Sequence, residues 1–196
     1  LVMDTAGTLA IPTTSGEAGA EGLIPLELGG NVTVFMPDGR RDVFVPSHYD
    51  TDGVIYRSPY RMRNELTRFR DDHYELRFPD DTVYIYRVPV LTGAEQPFLV
   101  EIRDAYGQSV NLSYDDDVRL DMITDAQGAV FTLSYDAIGL CTNISDPFGR
   151  NAEFQYDADH NLTRIADMGG YWSGFTYDTN VYLESIDNER GAWLFD

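Results

Sequence analysis

Carboxylates are the side chains that this sequence holds in chemical quantity. Thirty-three Asp and Glu stand against 14 bases, all of them Arg, for a net charge of −19. Paired carboxylates can hydrolyse glycosidic bonds when one of them is buried. Crowded carboxylates can hold calcium through hard oxygen ligands. The densest run is Asp115-Asp116-Asp117, and Asp71-Asp72 and Asp80-Asp81 are shorter ones. None has the Asp-x-Asp-x-Asp-Gly order of an EF-hand loop. Calcium at Asp115, Asp116 and Asp117 therefore stands as a candidate beside the plainer role of a solvated acidic surface. A catalytic pair should break the sequence pattern with an acid placed in an apolar setting, and no such acid occurs. No nucleophile–His–acid order, phosphate loop or zinc spacing is present either. One cysteine, Cys141, and the scattered His48, His73 and His160 leave no Cys- or His-based metal centre. The expectation is a chain without catalytic residues and without a cofactor other than possible calcium.

Composition narrows the partners. A surplus of anions opposes nucleic acid, where cations must replace counterions, and it opposes an anionic membrane surface. No apolar run approaches the ~18 residues needed for a membrane-spanning helix. Aromatics make up 13% of the chain, too many for a disordered segment.

A repeat organises most of these residues. Tyr114, Tyr135, Tyr156 and Tyr177 are 21 residues apart, and each is followed by Asp. Gly107, Gly128, Gly149 and Gly170 keep the same step, as do Ile123, Ile144 and Ile165. Apolar residues alternate before each Tyr, as in Val110, Leu112, Tyr114 and in Phe131, Leu133, Tyr135, which is the period of a half-buried strand. A polar turn follows. Then comes a short strand carrying Leu120, Cys141, Leu162 or Leu183, and an Asp-x-x-Gly turn such as Asp146-Pro147-Phe148-Gly149. Each repeat is thus a β-hairpin, and the next must extend its sheet, since a lone hairpin cannot bury its apolar face. The tyrosines should form a ladder on one face. Tyr171, Trp172 and Trp193 depart from the columns, and as exposed aromatics they could stack on sugar rings, or they could simply pack against the sheet.

The columns Gly-x₆-Tyr-Asp and Leu-x-x-Ile-x-Asp-x-x-Gly resemble the YD repeats of the RHS family. The best stretch is FTLSYDAIGLCTNISDPFG, Phe131–Gly149. MPDGRRDVFVP (Met36–Pro46) and YELRFPDDTVYIYRV (Tyr74–Val88) resemble the β-rich segment that precedes such repeats. The resemblance implies an all-β fold of antiparallel 21-residue hairpins in a curved, spiralling sheet, part of a YD shell. It implies a secreted or cell-surface scaffold that encloses a C-terminal effector, as in polymorphic toxins, or that meets a cell surface. The alternatives are a carbohydrate-binding adhesin module and a self-assembling surface filament subunit. Its partners would be other domains of the parent chain, cell-surface carbohydrate, or further copies joined at open sheet edges.

Three segments follow. Residues 1–30, rich in Gly, Ala, Thr and Glu, read as a linker or the exit from a preceding domain. Residues 31–101 read as the β-rich segment. Residues 102–196 read as four repeats plus the start of a fifth, and a continuous antiparallel sheet is expected over 31–196. The only segment with any helical character is Tyr60–Phe69. Arginines 57, 61, 63, 68, 70 and 77 crowd this stretch, available to acidic partners or to solvent.

Overall fold

A computed structural model describes residues 2–3, 29–36, 39–51, 53–58, 63–90 and 92–195. The chain is all-β and divides into two compact units, Leu1–Ser109 and Val110–Asp196. Most of the proposed 1–30 linker, residues 4–28, lies outside the described residues. Tyr60–Met62 lie outside them too. The rest of the helix candidate is extended, because Glu65–Arg70 alternates Leu66 and Arg68 inward and so follows the strand period.

In the first unit, β1 (Val2–Met3), β2 (Val32–Phe35), β3 (Arg41–Tyr49), β4 (Val54–Arg57), β5 (Glu65–Arg70), β6 (His73–Arg77), β7 (Val83–Arg87) and β8 (Phe98–Arg103) pair antiparallel, each with its neighbour in sequence. The register sets Leu66 opposite Leu76, Tyr74 opposite Tyr86 and Leu76 opposite Tyr84 on one face. Here Val34, Phe44, Val54, Tyr56, Leu66, Tyr74 and Leu76 have no exposed surface. Val83 and Ile85 lie on the other face, in the cross-strand row of Ile55, Thr67 and Glu75, and they too are buried. Strand β7 is therefore covered on both sides, which period-two alternation alone does not signal.

Of the crowded arginines, Arg57, Arg63, Arg70 and Arg77 are exposed, and Arg61 lies outside the described residues. Arg68 turns inward, 3.8 Å from Asp71 and beside the buried hydroxyls of Tyr56 and Tyr74. Burial pushes the Tyr74 hydroxyl up to about 12, against the opposing pull of Arg68, and it raises Tyr56 as well.

The second unit is one antiparallel ladder of β9 (Ser109–Tyr114), β10 (Leu120–Thr124), β11 (Val130–Tyr135), β12 (Cys141–Ser145), β13 (Asn151–Tyr156), β14 (Leu162–Ala166), β15 (Trp172–Tyr177), β16 (Leu183–Asn188) and β17 (Gly191–Leu194). Among the described residues β17 pairs with β16 alone, so the ladder is open there. One face carries Leu112, Tyr114, Ile123, Phe131, Leu133, Tyr135, Ile144, Phe154, Tyr156, Ile165, Phe175, Tyr177 and Ile186. The other is mostly Ser, Thr, Asn and Gln with Glu153, Arg164 and Asp187, and it also carries Met122, Val130, Ala166 and Trp172. The apolar face is half-buried rather than sealed, and the fully buried core belongs to the first unit.

Candidate functional site

The two kinds of turn in the repeat have one geometry. In each, the Asp N–H donates to the carbonyl four residues on, and the residue three on donates back to the Asp carbonyl. The Asp Oδ1 accepts two further backbone N–H groups. For Asp136 these come from Ile138 at 3.0 Å and Leu140 at 2.9 Å, and for Asp146 from Phe148 and Arg150 at 2.9 Å each. The same pair of bonds recurs at Asp104, Asp115, Asp125, Asp157, Asp167 and Asp178. The turns begin at 104, 115, 125, 136, 146, 157, 167 and 178, alternating steps of 11 and 10. The 21-residue repeat is two copies of a strand–turn unit.

Each turn needs a left-handed residue three places after its Asp. Gly107, Gly128, Gly149 and Gly170 supply it in one column, with φ of 80–86°. In the other column only Gly139 is glycine. Val118, His160 and Val181 hold φ of 62°, 69° and 67°. A β-branched side chain there is strained by about 1–2 kcal/mol. Val181→Gly is expected to raise stability by about 1 kcal/mol after the extra unfolded-state entropy of Gly, with the gain read in a urea melt.

A bulge separates the two turn types. Tyr135 lies opposite Cys141 while Ser134 lies opposite Asn143, so Thr142 is the extra residue. Asp121, Thr163 and Glu184 occupy the same place in the other hairpins. The bulge explains why Leu120 and Ile123, three apart, share a face that strict alternation would deny them. It also ends the next ladder early. The β10–β11 pairing stops at Met122, and the Leu120 carbonyl instead accepts the Tyr135 hydroxyl at 2.6 Å. Tyr156 donates likewise to Cys141 O and Tyr177 to Leu162 O, both at 2.8 Å. Thr142 and Thr163 use their own hydroxyls on the carbonyls of Ser134 and Gln155. Asp121 cannot donate, and its Oδ1 is buried without a partner. Asp121→Thr is expected to stabilise the unit by about 1 kcal/mol, measured as a shift of the urea midpoint.

The candidate calcium ligands do not converge. Asp115 and Asp117 both pair with Arg119, at 2.7 and 2.9 Å, and the Asp115 Oδ1 is spent on its turn. Among the described residues no three His, Cys, Asp or Glu come together to hold a metal.

Titration brackets the fold. N–H donors, above all that of Arg119, hold Asp115 below the usual carboxylate range. The N–H groups of Asn161 and Tyr182 do the same for Asp157 and Asp178. For Asp146, burial would raise the carboxyl, and the N–H and guanidinium of Arg150 outweigh it. Stability from these groups is present above the unfolded value near 3.9 and is lost as pH falls through their folded values. Tyr74 works in the opposite direction. Its contribution is complete below the unfolded value near 10 and lost as pH rises from about 10 towards about 12. A melting series over pH is expected to show a plateau with loss at both ends, and Tyr74→Phe should weaken the alkaline loss.

The three departing aromatics are not one platform. Trp172 lies opposite Ala166 on the polar face, with the Arg164 guanidinium 4.8 Å from its ring centre. The columns place Trp193 in register with Trp172. Yet the last hairpin turns through only Glu189 and Arg190, one residue tighter, and sets Trp193 opposite Ile186 on the apolar face. Tyr171 stands at a turn, 68% exposed. Beside it lies a cleft of about 490 Å³ bounded by Ile165, Asp167, Tyr171, Trp172, Ser173, Asn188, Glu189 and Arg190. The cleft exists because Ser173 stands in the column of Phe131, and Asn188 in that of the turn aspartates. Sequence reading passed over both, and their departure from the columns was the available signal.

Residues 135–171 match the family model of the RHS repeat. The chain carries an RHS repeat. The hairpins on either side of that stretch, Ser109–Thr124 and Trp172–Asn188, keep the same Asp turns and bulges. No curated protein matches the chain in sequence. Among solved structures it is similar to the TcdB2-TccC3-Cdc42 crystal structure, with TM-score 0.47 and 12% identity over 80% of this chain and 10% of that one. It is also similar to a Photorhabdus luminescens Tc holotoxin pore with mutated TccC3, with TM-score 0.46 and 13% identity over 82% of this chain and 11% of that one. The chain thus spans about a tenth of the length of those chains. No helix among its described residues is long and apolar enough to cross a membrane.

Proposed function

We propose that the chain is a stretch of wall in an extracellular RHS shell that encloses a C-terminal effector, with no catalysis of its own. The observation that supports this is the two-faced ladder, apolar on one side and hydroxyl- and amide-rich on the other, open at β17. Such a sheet is incomplete as a globule, because its apolar face stays half-exposed. It is well suited to continue by adding hairpins, each seated by the turn aspartates and tyrosine hydroxyls of the repeat. Of the densest acidic run, Asp115 is engaged by its turn and by Arg119, and Asp117 by Arg119 as well.

Cys141, the single cysteine, sits on the apolar face and supplies the test. In the parent protein a small maleimide should label Cys141 while a large polyethylene-glycol maleimide is excluded. Thr132→Cys on the polar face, placed in a Cys141→Ser background, should accept both reagents. Equal labelling of the two faces by the large reagent would overturn the enclosure.

A further inference from the structure

We infer that the sheet face of the first unit opposite its sealed core binds an acidic, proline-rich polypeptide segment, a role that goes beyond the wall function. The register runs one row across six strands of that face: Val45, Arg57, Glu65, Arg77, Val83 and Arg103, each opposite the next. Arg41, Arg70 and Arg87 share the face through β3, β5 and β7. Among the described residues, the acids that the pairing puts there are Glu65, Glu75 and Glu101, so six arginines stand against three carboxylates. Two of those carboxylates are already engaged. Glu75 lies 3.3 Å from His73 Nε2, and Glu101 accepts from Ser109 at 2.6 Å and from Arg103 at 2.8 and 2.9 Å. Arg57 is exposed, and Arg77 lies 3.7 Å from Asp81 with both side chains more than half exposed. This cationic surplus is local to a molecule of net charge −19. Screening over about 10 Å at 0.1 M salt lets the face itself, rather than the net charge, set what docks on it.

Spacing selects the partner. Arg57, Arg77 and Arg103 stand on β4, β6 and β8, two strands apart at each step, which is about 9.6 Å. A polyproline II helix repeats every three residues, at about 3.1 Å each, or about 9.3 Å. An acid at every third residue therefore presents one carboxylate to each of the three arginines. An extended β-strand cannot do this, since residues three apart point to opposite sides. Apolar surface for the intervening prolines lies at the Val45 end of the row. Val45, Val43 and Phe35 are 45%, 37% and 46% exposed there, and the Arg41 guanidinium sits 5.1 Å from the Phe35 ring centre. A bare polyanion would leave that apolar surface unused.

Titration of residues 1–196 at low salt with a peptide of four Glu-Pro-Pro repeats, followed by amide NMR, tests the inference. Saturable shifts are expected in β4–β8, and none with the matching Gln-Pro-Pro peptide. A peptide of the same composition with its glutamates in one block should bind more weakly. Arg57→Gln combined with Arg77→Gln should weaken binding about fivefold, and Glu65→Gln should strengthen it about twofold. The gain from Glu65→Gln reads the face even where the double variant fails to fold. Absence of saturable shifts would overturn the site. So would equal binding of the Gln-Pro-Pro or block peptide, indifference to Glu65→Gln, or tighter binding of duplex DNA or dextran sulfate on the same strands. The shell reading is decided separately by the Cys141 labelling, so either can fail alone.

Discussion

Leu66→Ala is expected to cost the first unit about 3 kcal/mol, whereas Ile144→Ala should cost the second about 1 kcal/mol. Leu66 has no exposed surface and lies opposite Leu76 and Tyr56 in the sealed core. Truncating such a side chain forfeits its transfer energy and leaves a cavity, about 2–5 kcal/mol in comparable cores. Ile144 holds the same chemistry on a half-buried face, where solvent already reaches part of the side chain and no closed cavity forms. Urea melts with hydrogen exchange read in each unit would separate the two losses. Equal costs would mean that the repeat face is as tightly packed as the core. Domain stabilities run to about 5–15 kcal/mol, so the Leu66 change should also leave the first unit visibly more open to exchange.

Removing the three ladder hydroxyls together, as Tyr135→Phe, Tyr156→Phe and Tyr177→Phe, should destabilise the second unit by about 3 kcal/mol. Each hydroxyl serves a carbonyl that the bulge has taken out of the strand ladder. The rings stay in place, so the loss isolates the hydrogen bond, about 1 kcal/mol for each carbonyl left short of a partner. Burial also raises the Tyr135 and Tyr156 hydroxyls above their ordinary range, keeping them protonated and able to donate. Tyr182→Phe is the control, since Tyr182 is 73% exposed. A triple variant as stable as the parent, with Tyr182→Phe equally silent, would show that the hydroxyls are ornaments of the repeat. Slower refolding with unchanged unfolding would instead place these bonds in the folding nucleus.

The sequence by itself determined the repeat, its period, its strands and its turns, because each rests on local chemistry that repeats in register. Asp followed three residues later by Gly specifies the same turn wherever it occurs. Alternation before Tyr135 or Tyr156 specifies a strand with one apolar face. Val118 at the left-handed position was not legible, since a β-branched residue disfavours that conformation and only the closed turn imposes it.

Tertiary structure decided what depends on pairing between strands. The bulge at Thr142 comes from a mismatch between two strands, though the spacing of three between Leu120 and Ile123 hinted at it. The side chosen by Trp193 turned on one residue missing from the last hairpin, and a one-residue slip reverses every face beyond it. Burial of Ile85 and Arg68 needed the whole first sheet, because neither residue announces its neighbours. The cleft beside Tyr171 arose where Ser173 and Asn188 leave their columns on adjacent strands. A column records what a residue type is at each step, and only the sheet brings two such departures side by side.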